Sequence, residues 1–144
     1  MLKHIPAILS PEFLKVLCEM GHGDEIVLAD GNFPAESTGK NAIVVRADGH
    51  GVAELLDAIL ELMPLDDSVP CPAALMQPMP GDLQTPAVWT EYRRVLERHG
   101  EDPKAVELVE RFAFYERGKK AYAIVATGER AGYGNLLLKK GVVG

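Results

Sequence analysis

Tyr122-Ala123-Ile124-Val125-Ala126-Thr127-Gly128-Glu129-Arg130-Ala131-Gly132-Tyr133-Gly134-Asn135-Leu136-Leu137-Leu138 is the stretch on which the fold turns. Tyr122 to Ala126 reads as a strand, Thr127-Gly128-Glu129 as a turn, Tyr133-Gly134-Asn135 as a turn into a last apolar strand, Leu136 to Leu138. The connection is too short for a helical crossover, so the sheet is expected to be mixed rather than purely parallel.

Upstream, helical and strand signals alternate. Ser10-Pro11 opens a helix, with a capping hydroxyl followed by a proline at the first helical position. Phe13, Leu14, Leu17 and Cys18 recur at helical spacing, and Gly21 is expected to close the helix as a left-handed cap. Ile26 to Ala29 and Ile43 to Ala47 are apolar runs fit for buried strands. Asp30 to Gly39 is loop-like. Val52, Leu55, Leu56, Ile59 and Met63 mark an amphipathic helix. Ala73 to Met79 reads as a strand, and Thr85-Pro86 repeats the cap-plus-proline opening before Val88, Trp89, Tyr92, Val95 and Leu96. Val106 to Val109 leans to strand. Arg111 to Lys120 reads as a helix with Phe112, Tyr115 and Lys119 on one side. The alternation predicts one α/β domain over residues 1–144, a mixed central sheet covered by helices.

The chain has 144 residues, 47% hydrophobic and 25% charged, ordinary values for one globular domain. Its net charge of -6 argues against nucleic-acid binding. Arg93, Arg94 and Arg98 are interleaved with Glu91, Glu97 and Glu101, as on a solvated helix face. No apolar run has the length of a membrane span, and the opening residues lack the marks of a signal peptide. Cys18 and Cys71 lie far apart and are expected to stay reduced in the cytoplasm.

Ionisable residues gather at element ends. His22 sits between two glycines before the first strand, and Asp30 directly follows that strand, where α/β proteins collect ligands. Each also has a plain structural reading: His22 as an exposed residue beside a helix end, Asp30 as a turn former, Arg111 as an ion-pair partner, Tyr115 as core packing. Metal binding is not expected. His4, His22, His50 and His99 are scattered, and the short His22-Gly23-Asp24 and Asp48-Gly49-His50 pairs are of a kind common by chance. No glycine-rich nucleotide cradle and no nucleophile elbow is present.

Six segments in order resemble the L-fucose mutarotase and D-ribose pyranase family: Leu9 to Leu17, Met20 to Ile26, Asn32 to Ala35, Arg46 to Gly49, Arg111 to Arg117, and Thr127 to Asn135. The fucose branch is the closer match, because ribose pyranases tend to carry a histidine where Arg111 stands. The resemblance implies that His22 is the catalytic proton donor and that Asp30, Arg111, Tyr133, Gly134 and Asn135 contact the sugar. It also implies a cofactor-free cytoplasmic isomerase, with a monosaccharide as partner and no nucleic acid or membrane. A homo-oligomer, a ring-shaped decamer with pockets completed between subunits, is implied as well. Gly31, where the fucose branch commonly has alanine, and Glu36, where some relatives have histidine, depart from the pattern and bear on the choice of sugar.

The implied reaction needs one proton delivered to the ring oxygen and one removed from the anomeric hydroxyl. Histidine, with an ordinary pKa of about 6.5, has both forms at hand near neutrality. Tyr133 is the first candidate for the anomeric proton, Arg111 offers a fixed fork of donors, and Asn135 both donates and accepts. Asp30 would accept sugar hydroxyls or orient His22. Three other readings are a D-ribose pyranase, a non-catalytic sugar-binding protein, and a metal-dependent hydrolase using His22, Asp24 and His50.

Overall fold

The computed structural model describes residues 1–144. In chain order the elements are α1 (Pro11–Glu19), β1 (Glu25–Ala29), α2 (Ala35–Thr38), β2 (Ile43–Ala47), α3 (Val52–Leu60), β3 (Ala73–Met76), α4 (Val88–Arg98), β4 (Val106–Val109), α5 (Arg111–Lys119), β5 (Ala123–Thr127) and β6 (Leu136–Lys139). The strands form one six-stranded sheet in the order β2-β5-β1-β6-β3-β4. The sheet is mixed, as the short connection after β5 requires: β6 lies between β1 and β3 and runs antiparallel to both, while the other pairings are parallel.

Side chains alternate across the sheet with a period of two, and both faces are covered. Ile26, Leu28, Val125, Leu136 and Leu138 meet Phe13, Leu55, Leu56, Ile59, Trp89, Tyr92 and Leu96 from α1, α3 and α4. Val27, Ala29, Ile124, Ala126, Leu137 and Met76 meet Phe33, Ala35 and Phe114 on the opposite face, beneath α2 and α5. Phe114 is fully buried. A side chain of that size stabilises the fold by roughly 1.5–3 kcal/mol relative to exposure.

Several local expectations are corrected. Gly21 is not left-handed; α1 ends at an extended Met20, and the positive φ of 86° belongs to Gly23. Cys18 is exposed rather than packed in the core. Within the expected loop, Ala35 and Thr38 are buried in the short helix α2. Strand β3 stops at Met76, before Pro78, which has no N–H to give a ladder. Thr85 does not cap α4; Ala87 precedes that helix without a side-chain bond. The expected helix after Val109 is present as α5, and its buried residues are Phe114 and Gly118.

This topology sorts the chemistry by edge. The five mutually parallel strands end together at one edge of the sheet, and antiparallel β6 begins there. Asp30, Met76, Arg111 and the Tyr133–Asn135 segment therefore share the carboxyl edge. His22 lies at the amino edge, where its loop is pinned by the Gly23 N–H donating to the Lys140 carbonyl at 2.9 Å.

Candidate functional site

The carboxyl edge carries a cavity of about 190 Å³ lined by Asp30, Asn32, Phe33, Met76, Arg111, Tyr115, Gly132, Tyr133 and Asn135. That is smaller than the roughly 300–1,000 Å³ clefts that hold drug-sized ligands. A larger cleft of about 600 Å³ at the amino edge, lined by residues such as Asp24, Lys40, Lys120 and Tyr122, includes none of the chain's buried polar residues. The smaller cavity includes two, Asp30 and Asn135.

Asp30 anchors the site. Its N–H donates to Asn135 Oδ1 at 2.7 Å, and its carboxylate accepts the N–H groups of Asn32 at 3.1 Å and Gly134 at 3.3 Å. Burial pushes its pKa above the usual carboxylate value, with these backbone donors opposing the rise. Asn135 also points Nδ2 at the Met76 sulfur, 3.8 Å away. Much of the Asn135 amide thus ties the start of β6 to the end of β1.

Tyr133 has a φ of 56°, in the left-handed region. For a bulky residue that conformation costs on the order of 1–3 kcal/mol and persists only where surroundings enforce it. They do so here: Trp89 Nε1 donates to the Tyr133 carbonyl at 2.9 Å, and Tyr92 Oη donates to the Gly134 carbonyl at 2.8 Å. The Tyr133 hydroxyl donates to Asp82 Oδ2 at 2.5 Å and accepts the Met79 N–H at 3.2 Å.

Arg111 is the first residue of α5, set there because Glu110, directly after β4, caps the helix. The Glu110 carboxylate accepts the N–H groups of Phe112 and Ala113 at 3.0 and 2.9 Å, which hold its pKa below the ordinary range. Arg111 Nε donates to Tyr115 Oη at 3.3 Å, and the guanidinium lies 5.6 Å from the Phe112 ring centroid and 5.7 Å from that of Tyr115. The Tyr115 hydroxyl, with Tyr133 and Asp82 further off, favours the charged guanidinium. Phe33 and Tyr115 stand 5.3 Å apart, an aromatic wall beside the cation.

Asp30, Arg111, Tyr133, Gly134 and Asn135 are thus brought together within one chain. His22 is not among them, nor does Asp30 orient it within the chain. The five-residue strand β1 separates the two, roughly 17 Å at about 3.3 Å per residue. His22 Nε2 lies 3.1 Å from Asp66 Oδ1 instead, and the imidazole side chain is 52% exposed. Asp66 Oδ1 also accepts the Ser68 hydroxyl at 2.7 Å and the Ser68 N–H at 3.0 Å. The two Ser68 bonds, and then His22, lower the Asp66 pKa to about 2. His50 follows β2 at the carboxyl edge and pairs with Glu54 at 3.0 Å, so His22, Asp24 and His50 do not form one cluster.

The sequence reading passed over Asp82 and Asp66. The Pro80-Gly81 pair was the available signal for a tight turn presenting Asp82. Asp66 carried none, because its contact with His22 spans 44 positions.

Comparison with known proteins extends the geometry. The chain is 57% identical over 147 residues to the human fucose mutarotase, covering 99% of this chain and 94% of the relative. The crystal structure of FucU from Bifidobacterium longum matches with a TM-score of 0.96 and 57% identity, over 99% of this chain and all of that one. The fucose mutarotase from Streptococcus pneumoniae, solved in complex with L-fucose, matches with a TM-score of 0.95 and 53% identity, over 99% of this chain and 100% of that one. Residues 3–143 match the RbsD / FucU transport protein family, and the chain belongs to that family.

Proposed function

We infer that this chain is an isomerase that interconverts the α and β anomers of L-fucose by opening and reclosing the pyranose ring. The observation that carries the reading is the carboxyl-edge cavity, where Asp30, Arg111 and Tyr133 converge in a chain 53% identical to a mutarotase solved with L-fucose.

The cavity supplies the groups that a small polyol needs. Asp30 accepts sugar hydroxyls, Arg111 donates through its planar fork, and Phe33 and Tyr115 cover an apolar face of the ring. Tyr133 takes the proton from the anomeric hydroxyl. The C1–O5 bond then breaks, O5 receives a proton from His22, and the free aldehyde turns about C1–C2 before the steps reverse. Because His22 stands at the far edge of its own chain, the imidazole that serves a given cavity belongs to a neighbouring copy. The anionic Asp66 accepts from Nε2–H and leaves Nδ1 to face the sugar. The protein therefore works as a homo-oligomer, in the decameric ring that the family resemblance implies. Exposed Phe112, whose ring lies 6.3 Å from that of Tyr115, and exposed Leu108 on edge strand β4 give a second copy apolar surface beside the cavity. The chemistry uses proton transfers alone, so we assign no cofactor. Its free cysteines suit the reducing cytoplasm.

Saturation-transfer NMR between the anomers of L-fucose tests this reading. The wild-type protein accelerates exchange, and His22→Ala, folded and oligomeric, falls back by ~10²-fold or more. Fucose binding without acceleration would instead make the chain a sugar-binding protein. Faster exchange of ribose than of fucose would make it a ribose pyranase.

A further inference from the structure

Tyr133 can relieve the anomeric hydroxyl of its proton only if its own hydroxyl proton has somewhere to go. The loop after β3 provides the place. Met79-Pro80-Gly81-Asp82 forms a tight turn: the Asp82 N–H donates to the Met79 carbonyl at 3.1 Å, and Gly81 has a φ of 93°. Proline at the second position and a left-handed glycine at the third are the marks of a type II turn. Gln84 Nε2 braces the turn by donating to the carbonyls of Met79 and Asp82 at 3.2 and 2.7 Å. The turn is thus held by backbone and amide groups, which leaves the Asp82 carboxylate for the Tyr133 hydroxyl at 2.5 Å. The Met79 N–H occupies one lone pair of the phenol oxygen, and the other remains for the sugar.

We propose that Asp82 is a positioning residue for Tyr133, orienting its hydroxyl and taking its proton while Tyr133 receives the anomeric one. This rests on the anomer-exchange reading. In the opening step the O1–H proton passes to Tyr133 Oη as the Oη–H proton passes to Asp82 Oδ2. The O1–H electron pair forms the carbonyl, and the C1–O5 pair leaves with O5, which takes its proton from His22. Closure returns each proton by the same route, so the protein ends unchanged. Asp82 never touches the sugar.

The test is kinetic and uses the full-length protein in its native oligomer, with exchange of L-fucose followed by saturation-transfer NMR over a range of sugar concentrations. Asp82→Asn keeps a carbonyl oxygen to accept the phenol hydrogen bond but has no carboxylate to take the proton. Its kcat is expected to fall about 10-fold or more, with KM within about twofold. Asp82→Glu is expected to recover most of that loss. Tyr133→Phe is expected to lose at least as much as Asp82→Asn, and the double variant no more than Tyr133→Phe alone. Three results would overturn the proposal: wild-type kcat in Asp82→Asn, a loss confined to KM, or a double variant slower than Tyr133→Phe. In each of these the wild-type protein still exchanges fucose, so the function stands while the role of Asp82 falls. A wild-type protein that leaves fucose exchange at the solvent rate sinks both.

Discussion

His22 and Asp66 face each other across 3.1 Å at the amino edge of the sheet, while Asp30 closes a cavity at the carboxyl edge. On the proposed function, the chain builds two half-sites. One is an exposed imidazole braced by a buried carboxylate, and the other is a sugar-sized pocket without an imidazole. Asp66 holds the ring through Nε2, as the carboxylate partner of a histidine would in the proposed proton transfer. Asp66→Asn is expected to lower fucose exchange about 10-fold, a part of what the histidine itself contributes. Steady-state NMR exchange rates check this.

The same carboxylate gives a stability signature. The folded-state pKa of Asp66 is lowered to about 2 from 3.8. A lowered value means the contribution is fully present above the unfolded value and is lost as pH falls through the folded one. Thermal melts between pH 5 and pH 2 are expected to show wild type losing stability more steeply than Asp66→Asn. Parallel curves would contradict the assignment.

Asp30 behaves in the opposite sense. Burial raises its pKa, so its ionised form costs stability as pH rises through the folded value. In the proposed mechanism the ionised form accepts the sugar hydroxyls, so the acid limb of kcat/KM is expected above the ordinary carboxylate value of 3.8. Asp30→Asn is expected to abolish most activity and remove that limb, as a pH profile would show.

Gly134 sits where backbone must approach Asp30 and Tyr92. A Cβ there would come within 3.0 Å of the Ala131 carbonyl and of Glu129 Cγ, and 3.1 Å from Tyr92 Oη. Gly134→Ala is expected to destabilise the fold by about 1–3 kcal/mol through overpacking, and to weaken fucose binding. Denaturant titration and isothermal calorimetry measure the two effects.

Arg111→Lys keeps the charge but loses the fork and its stacking on Phe112 and Tyr115. A lost charged hydrogen bond is worth about 1.5–3 kcal/mol, so KM for fucose is expected to rise roughly 10-fold or more. Fucose affinity and exchange kinetics would report it.

The fold was largely legible because it rests on local signals. Ser10-Pro11 caps α1, with Ser10 Oγ accepting the Phe13 N–H at 3.1 Å, and the gap between β5 and β6 dictates a mixed sheet. Boundaries slipped at the ends of elements, as where the strand expected from Ala73 to Met79 stops at Met76, before Pro78. The pocket was half legible. Asp30 was marked by its place after a strand and Arg111 by the family resemblance, and the places of His22 and Asp30 on either side of β1 already separate them, but strand order, which brings Met76 and the Tyr133 segment beside Asp30, leaves no trace in a pattern of periods. Asp82 reaches Tyr133 across 51 positions, and only the assembled sheet brings them together.

Complementation between two inactive variants measures the division of the site most directly. His22→Ala and Tyr133→Phe each disable one half-site. When the two are co-refolded into hybrid oligomers, random pairing leaves roughly a quarter of the interfaces with both residues intact. Fucose exchange recovering toward that fraction, with neither variant active alone, is the predicted result. Intact hybrid oligomers that stay as slow as their parents would contradict a site shared between copies.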